Sequence, residues 1–276
     1  MADTSLWATR RQAEAALADE LKPFADLLNE AFAASDTSIA RLETLGYPFG
    51  QVCALVLIKA RNLALGCYSL SLDGVAQEAG ALFRLLLESL EVLMYFRSDR
   101  SRINEVLEGR LPKAGDIAKK IEGKFQGLRE HLNEHASHLS LSADAMVHLI
   151  DLKTGRLKPV QGHHVSVLQR NLSALLGIMA WLAIEGVNCT TVGSDAFDQE
   201  TGDAVEHLKN RIVLLVSSDR EGGSDGSTRW RHLPTRQDFT HEGKRHTGRV
   251  AQGRATLNEG RRSAHSLHEE YRVGSP

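Results

Sequence analysis

Residues 49–97 read FGQVCALVLIKARNLALGCYSLSLDGVAQEAGALFRLLLESLEVLMYFR, and this stretch decides the fold. Its first half is apolar on nearly every side. The polar residues Lys59, Asn62, Ser69 and Asp73 fall on one narrow stripe, with Gly66 on it. That spacing predicts a helix over about 49–72. Asp73-Gly74 marks a turn. A second mostly apolar helix follows over about 75–97, with Arg84, Glu88, Glu91 and Tyr95 on one face at spacings of four, three and four. Consecutive helices apolar on most sides belong at the centre of a bundle. The tight turn between them makes them antiparallel.

The flanking sequence extends this pattern. Leu17, Leu21, Phe24, Leu28 and Phe32 form one apolar stripe, and Pro23 makes it either two helices or one kinked helix. A short helix is expected over about Thr37–Leu45, stopped by Gly46 and Pro48. Further helices are expected over about 100–108, 114–138, 164–186 and 195–217. The loop holding Gly155, Pro159 and Gly162 has room for a small hairpin. No strand alternation of useful length and no fixed-period repeat is present. The expectation is an all-α fold, a bundle of about six or seven helices in one domain, residues 1–218.

Composition sets the class. The chain has 276 residues, 42% hydrophobic and 25% charged, with a net charge of −2. These values exclude a collagen-like chain, a disulfide scaffold and a bulk binder of polyanions. Residues 219–276 differ: 11 of 58 are apolar, and they carry 11 Lys+Arg against 8 Asp+Glu. Such a segment cannot bury enough apolar area to offset chain entropy, so it is expected to be a disordered, mildly basic tail. Cys53, Cys67 and Cys189 are odd in number and lack metal-site spacing, which points to a reducing cytoplasm. The N-terminal residues show no charged region followed by an apolar one, so no signal peptide is expected. The apolar runs at 52–58 and 172–184 are shorter than the ~20 residues of a membrane span, so both read as core and no membrane contact is expected.

Chemistry concentrates in LREHLNEHASHLS, residues 128–140. His131, His135 and His138, spaced four and three, project from one side of a helix, with Glu134 between them. Imidazoles so placed could bind zinc or another transition metal if a further helix supplied a ligand. The HExxH and paired Glu-x-x-His patterns are absent. No cofactor is implied, since GxGxxG, Walker A and GxSxG motifs are also absent. A hydrogen-bonded or solvated histidine face is the alternative.

Arg129 precedes His135 by six positions in the same segment. An Arg followed by a His at this distance on one helix resembles the HEPN nucleases (higher eukaryotes and prokaryotes nucleotide-binding domains). These are small helical bundles, often dimeric, found in toxin–antitoxin and phage-defence systems. The resemblance implies a metal-independent RNase. His135 would be the general acid or base and Arg129 would stabilise phosphorane charge, with two sites meeting across a homodimer. Glu130 departs from the family, where the residue after Arg is more often Asn, Asp or His. Lys119, Lys120 and Lys124 add a small basic face near Arg129 that could touch RNA phosphates.

A wider resemblance runs from about residue 50 to 185. LFRLLLESLEVLMYF (82–96) and LNEHASHLS (132–140) resemble a group of uncharacterised bacterial all-helical proteins of HEPN-like type. It implies the fold and carries over Arg84, Glu88, Ser137 and His138. Physically, Arg84 and Glu88 are four apart and can pair on one helix face. Leucines surround them, so they need partners, and Ser137 or His138 on a facing helix could complete a buried polar lock.

Three functions therefore stand open: a HEPN-like bacterial protein of a stress, defence or mobile-element system that cleaves RNA; a non-catalytic protein that binds a partner protein; and a metal-binding bundle. The nuclease needs Arg129 and His135 exposed together. The lock places His138 against Arg84 and Glu88, with Arg129 in solvent. The metal site needs a ligand from a second helix.

Overall fold

A computed structural model describes residues 6–222, apart from residues 47, 136–148, 152, 159–161, 195 and 197. The described residues all belong to one unit, Met1–Pro234; residues 219–222, expected in the tail, end its last helix, and the rest of the expected tail lies outside the described residues. The fold is all-α, with nine α-helices and one very small hairpin among the described residues.

Helices α1 (Leu6–Ala18) and α2 (Lys22–Thr44) are separate, not one kinked helix. Pro23 sits in the first turn of α2, where a missing N–H breaks no helical bond. The short helix expected over Thr37–Leu45 is the continuation of α2. Ser35 and Thr37 lie within it and bond back into the helix. Their hydroxyls donate to the carbonyls of Ala31 and Ala33, each at 3.0 Å. The helix stops at Gly46, which has φ +76°.

Helices α3 (Phe49–Leu72) and α4 (Ala76–Ser98) match the pair read from the sequence. Gly74, with φ +78°, makes the turn between them. Arg10 of α1 grips the end of α3: its Nε donates to Asp73 Oδ1 at 2.6 Å and its Nη2 to Asp73 Oδ2 at 2.8 Å and Ser69 Oγ at 2.7 Å. A 3-10 turn (Arg100–Arg102) leads into α5 (Ile103–Leu107).

The single helix expected over 114–138 is two, α6 (Ala114–Lys120) and α7 (Gln126–His135). Gly123 N–H donates to Ala118 O at 2.8 Å and Glu122 N–H to Lys119 O at 3.1 Å. This is a Schellman close of α6. It places Glu122 at φ 64°, the one non-glycine in that region among the described residues. Glycine takes this conformation without the ~1–2 kcal/mol strain of a side chain, but gives back unfolded-state entropy. Glu122→Gly is therefore expected to raise stability by about 0.5–1 kcal/mol in urea unfolding; no gain, or a loss, would show that Glu122 is held by more than its backbone.

A hairpin pairs β1 (Ile150–Asp151) with β2 (Arg156–Leu157), Ile150 opposite Leu157. Helix α8 (Val165–Ser194) runs eight residues past its expected end, through Cys189 and Thr190. Helix α9 (Gln199–Gly222) begins at Asp198, whose carboxylate accepts from Thr201 N–H at 3.2 Å and Thr201 Oγ1 at 2.7 Å. Those bonds hold the Asp198 carboxyl below its usual value.

The centre of the bundle is α8, with α1, α2, α3, α4 and α9 packed around it. Helix α3 is more peripheral than expected and leaves Leu55 65% and Leu65 40% exposed. Its apolar circumference exceeds what α2, α4 and α8 can cover. Both α3 and α8 are long and apolar enough to cross a membrane by length and composition, because each helix continues past the apolar run seen in the sequence. Most of α8 is buried inside the bundle, as a core helix is. Gly186 lets α2 approach α8 closely, since a Cβ there would lie 2.7 Å from Ser38 Cβ.

Candidate functional site: a buried arginine–carboxylate cluster

The polar stripe of α4 is covered by α6 and α7 rather than by water. Phe125, Leu128 and Leu132 form the apolar face that seats α7 there, and Arg129 lies among them on that face. Arg129 is only 5% exposed and Glu91, beneath it on α4, is 1% exposed. Arg129 Nη2 pairs with Glu91 Oε2, and Arg129 Nε donates to Glu91 Oε1 at 3.4 Å. Its Nη1 lies 3.7 Å from Glu88 Oε1, and its Nη2 lies 3.4 Å from the carbonyl oxygen of Ala114 at the start of α6. One guanidinium therefore ties three helices together.

Arg84 joins the same cluster from one turn before Glu88. Its Nη2 pairs with Glu88 Oε1 at 2.7 Å, and its Nη1 donates to Asn133 Oδ1 of α7 at 3.1 Å. Arg84 Nε is buried with no hydrogen-bond partner among the described residues. The four charged groups, Arg84, Glu88, Glu91 and Arg129, sum to zero. Burial, followed by repulsion from Arg84, lowers the Arg129 pKa, while Glu88 raises it. An arginine in such a site stays protonated.

Tyr95 continues the stripe and is 1% exposed. Its hydroxyl donates to Glu105 Oε2 at 2.8 Å and accepts from Lys120 Nζ at 3.1 Å. The Arg102 guanidinium sits 4.2 Å from its ring centroid. Lys124, read as part of a basic face, lies over the Trp181 ring at 4.1 Å. Two of the lysines next to Arg129 are thus engaged with aromatic rings.

Two readings change against this geometry. Arg129 does not point to solvent, as the lock required, and it is not open to a phosphate, as the nuclease required. It lies on the apolar face of α7, so burying that face carries the arginine inward. Glu91 and Tyr95, on the same helix face as Arg84 and Glu88, are core residues. Glu91 is the partner that sequence reasoning missed. Its signal was Arg129 sitting between Leu128 and Leu132, since a charge on a buried stripe demands a counter-charge.

Of the other expected site residues, Arg84 and Glu88 meet in the cluster. His131 is half-buried on α7, and His135 ends that helix. The side chain of His135, and both Ser137 and His138, lie outside the described residues, so the three-histidine metal set does too. Among the described residues, no three His, Cys, Asp or Glu side chains gather to hold a metal ion. The chain matches no protein-family model, and no curated protein or solved structure is significantly similar to it.

Proposed function

We propose that this chain is a non-catalytic helical interaction protein in which Arg84, Glu88, Glu91 and Arg129 form a buried lock that fixes α6 and α7 on α4. The observation that carries this reading is the burial of Arg129 against Glu91. A guanidinium that stabilises phosphorane charge must reach the phosphate oxygens. This one spends its donors on two carboxylates and a backbone carbonyl. Leu55 and Leu65 of α3 and Leu85 of α4 are exposed apolar side chains of the kind a partner protein would cover.

The test has two arms, both on the full-length chain. Incubation with labelled single-stranded and hairpin RNAs, without divalent metal, is expected to give no cleavage above the blank. RNA fragmentation that disappears in His135→Ala, with the helical content unchanged, would reinstate the HEPN-like RNase. In the second arm, the wild type is expected to retain a protein from cell extract that Leu55→Glu/Leu65→Glu loses at an unchanged Tm. Equal retention by both forms would remove these leucines from the account.

A further inference from the structure

Helices α3, α4 and α8 meet at a second buried cluster, away from the Arg129 lock. Leu93 and Arg97 on α4 face Cys189 and Glu185 on α8, each pair one turn apart. Arg97 Nε donates to Glu185 Oε2 at 2.7 Å, and Glu185 is 0% exposed. Cys189 Sγ donates to the carbonyl oxygen of Leu93 at 3.8 Å. Cys53 of α3 lies opposite Cys189: one turn to either side along α3, Phe49 packs on Gly193 and Leu57 on Gly186 of α8, and both free cysteines are fully buried. Two thiols from helices distant in sequence thus face each other in the core. Core filling alone would be served by any pair of small apolar side chains.

We infer that Cys53 and Cys189 are a latent disulfide pair, a modification site at which a peroxide-class oxidant fastens α3 to α8. One sulfur, deprotonated, attacks a peroxide oxygen. The O–O bond breaks, water leaves after taking up the proton, and a sulfenic acid remains. The second sulfur then displaces that hydroxyl as water and the S–S bond forms. Two electrons pass from the two sulfurs to the peroxide, which ends as two waters.

Access sets the rate. The neighbouring Cys53 thiol, followed by burial, pushes the Cys189 thiol well up, so thiolate is scarce while the helices are closed. Oxidation then follows opening of the α3–α8 contact, and the pair records how often that contact opens. Cys67 is the internal control. It is also buried, its thiol donates to the Ala79 carbonyl at 3.6 Å, and burial pushes it up to about 12. It lies fourteen residues from Cys53 on the same helix, about 21 Å along the axis, out of reach of that partner.

The test treats the full-length protein with hydrogen peroxide, blocks remaining thiols and maps peptides without reduction. The expected product joins Cys53 to Cys189 and leaves Cys67 uncrosslinked, with Tm raised by about 10 °C through closure of a long loop. Cys53→Ala and Cys189→Ala should each abolish both the product and the shift. Free or over-oxidised Cys53 and Cys189 with no joined peptide would overturn the inference. So would equal crosslinking of Cys67, which would mark reaction through the unfolded chain. The peptide map of the wild type decides the matter even if a variant fails to fold.

Discussion

Arg129→Leu is expected to destabilise the protein by about 3–5 kcal/mol, read as a lower urea midpoint at unchanged slope. The cost comes less from the lost attraction than from what is left behind. Glu91 is 1% exposed, and the guanidinium of Arg129 is its partner. A carboxylate stripped of its counter-charge at that depth must be desolvated or protonated. Leucine suits the surroundings of Phe125, Leu128 and Leu132, so no large cavity offsets the comparison. A loss under about 1 kcal/mol would mean that the pair is solvated in solution and that Arg129 is as exposed as a phosphate-binding arginine needs to be.

Glu185→Leu is expected to cost about 3 kcal/mol, the second largest effect. Glu185 is 0% exposed in the middle of α8, where three helices converge, and its carboxylate receives Arg97 Nε at 2.7 Å and Asn188 Nδ2 at 3.4 Å. Removing it takes the carboxylate away from an arginine whose side chain is only 13% exposed. The cost falls below that at Arg129 because Arg97 ends α4, where a cation is favoured by the helix dipole and water is nearer. Thermal unfolding checks it, and a Tm within a degree of wild type would place the ion pair at the surface in solution.

The parts of the fold set by local chemistry were legible. The ends of α3 and the turn to α4 follow from Pro48, Asp73 and Gly74, and the apolar character of residues 49–97 demanded burial. Boundaries depending on less usual chemistry were not. Glu122 in a left-handed conformation breaks 114–138 in two, and nothing in a glutamate announces that. A second short helix is expected from Thr37, yet Ser35 and Thr37 bond back into α2 and the helix runs on. The position of α8 at the centre depends on how many helices choose to pack on it, which is a tertiary property. In the site, the Arg84–Glu88 pairing follows from four-residue spacing on one helix. The Arg129–Glu91 contact spans α7 and α4 and needed the register between them, which the sequence of either helix alone does not carry.

The central claim is that Arg129 serves Glu91 and the helix packing, not a substrate. A double-mutant cycle over Glu91→Leu and Arg129→Leu, read by urea unfolding, tests it most directly. If the pair is a buried lock, the double variant replaces both charges by leucine and should be more stable than either single variant, with a coupling of at least about 2 kcal/mol. Additive losses, with the double variant the least stable of the three, would show that the two residues act independently and would contradict the lock.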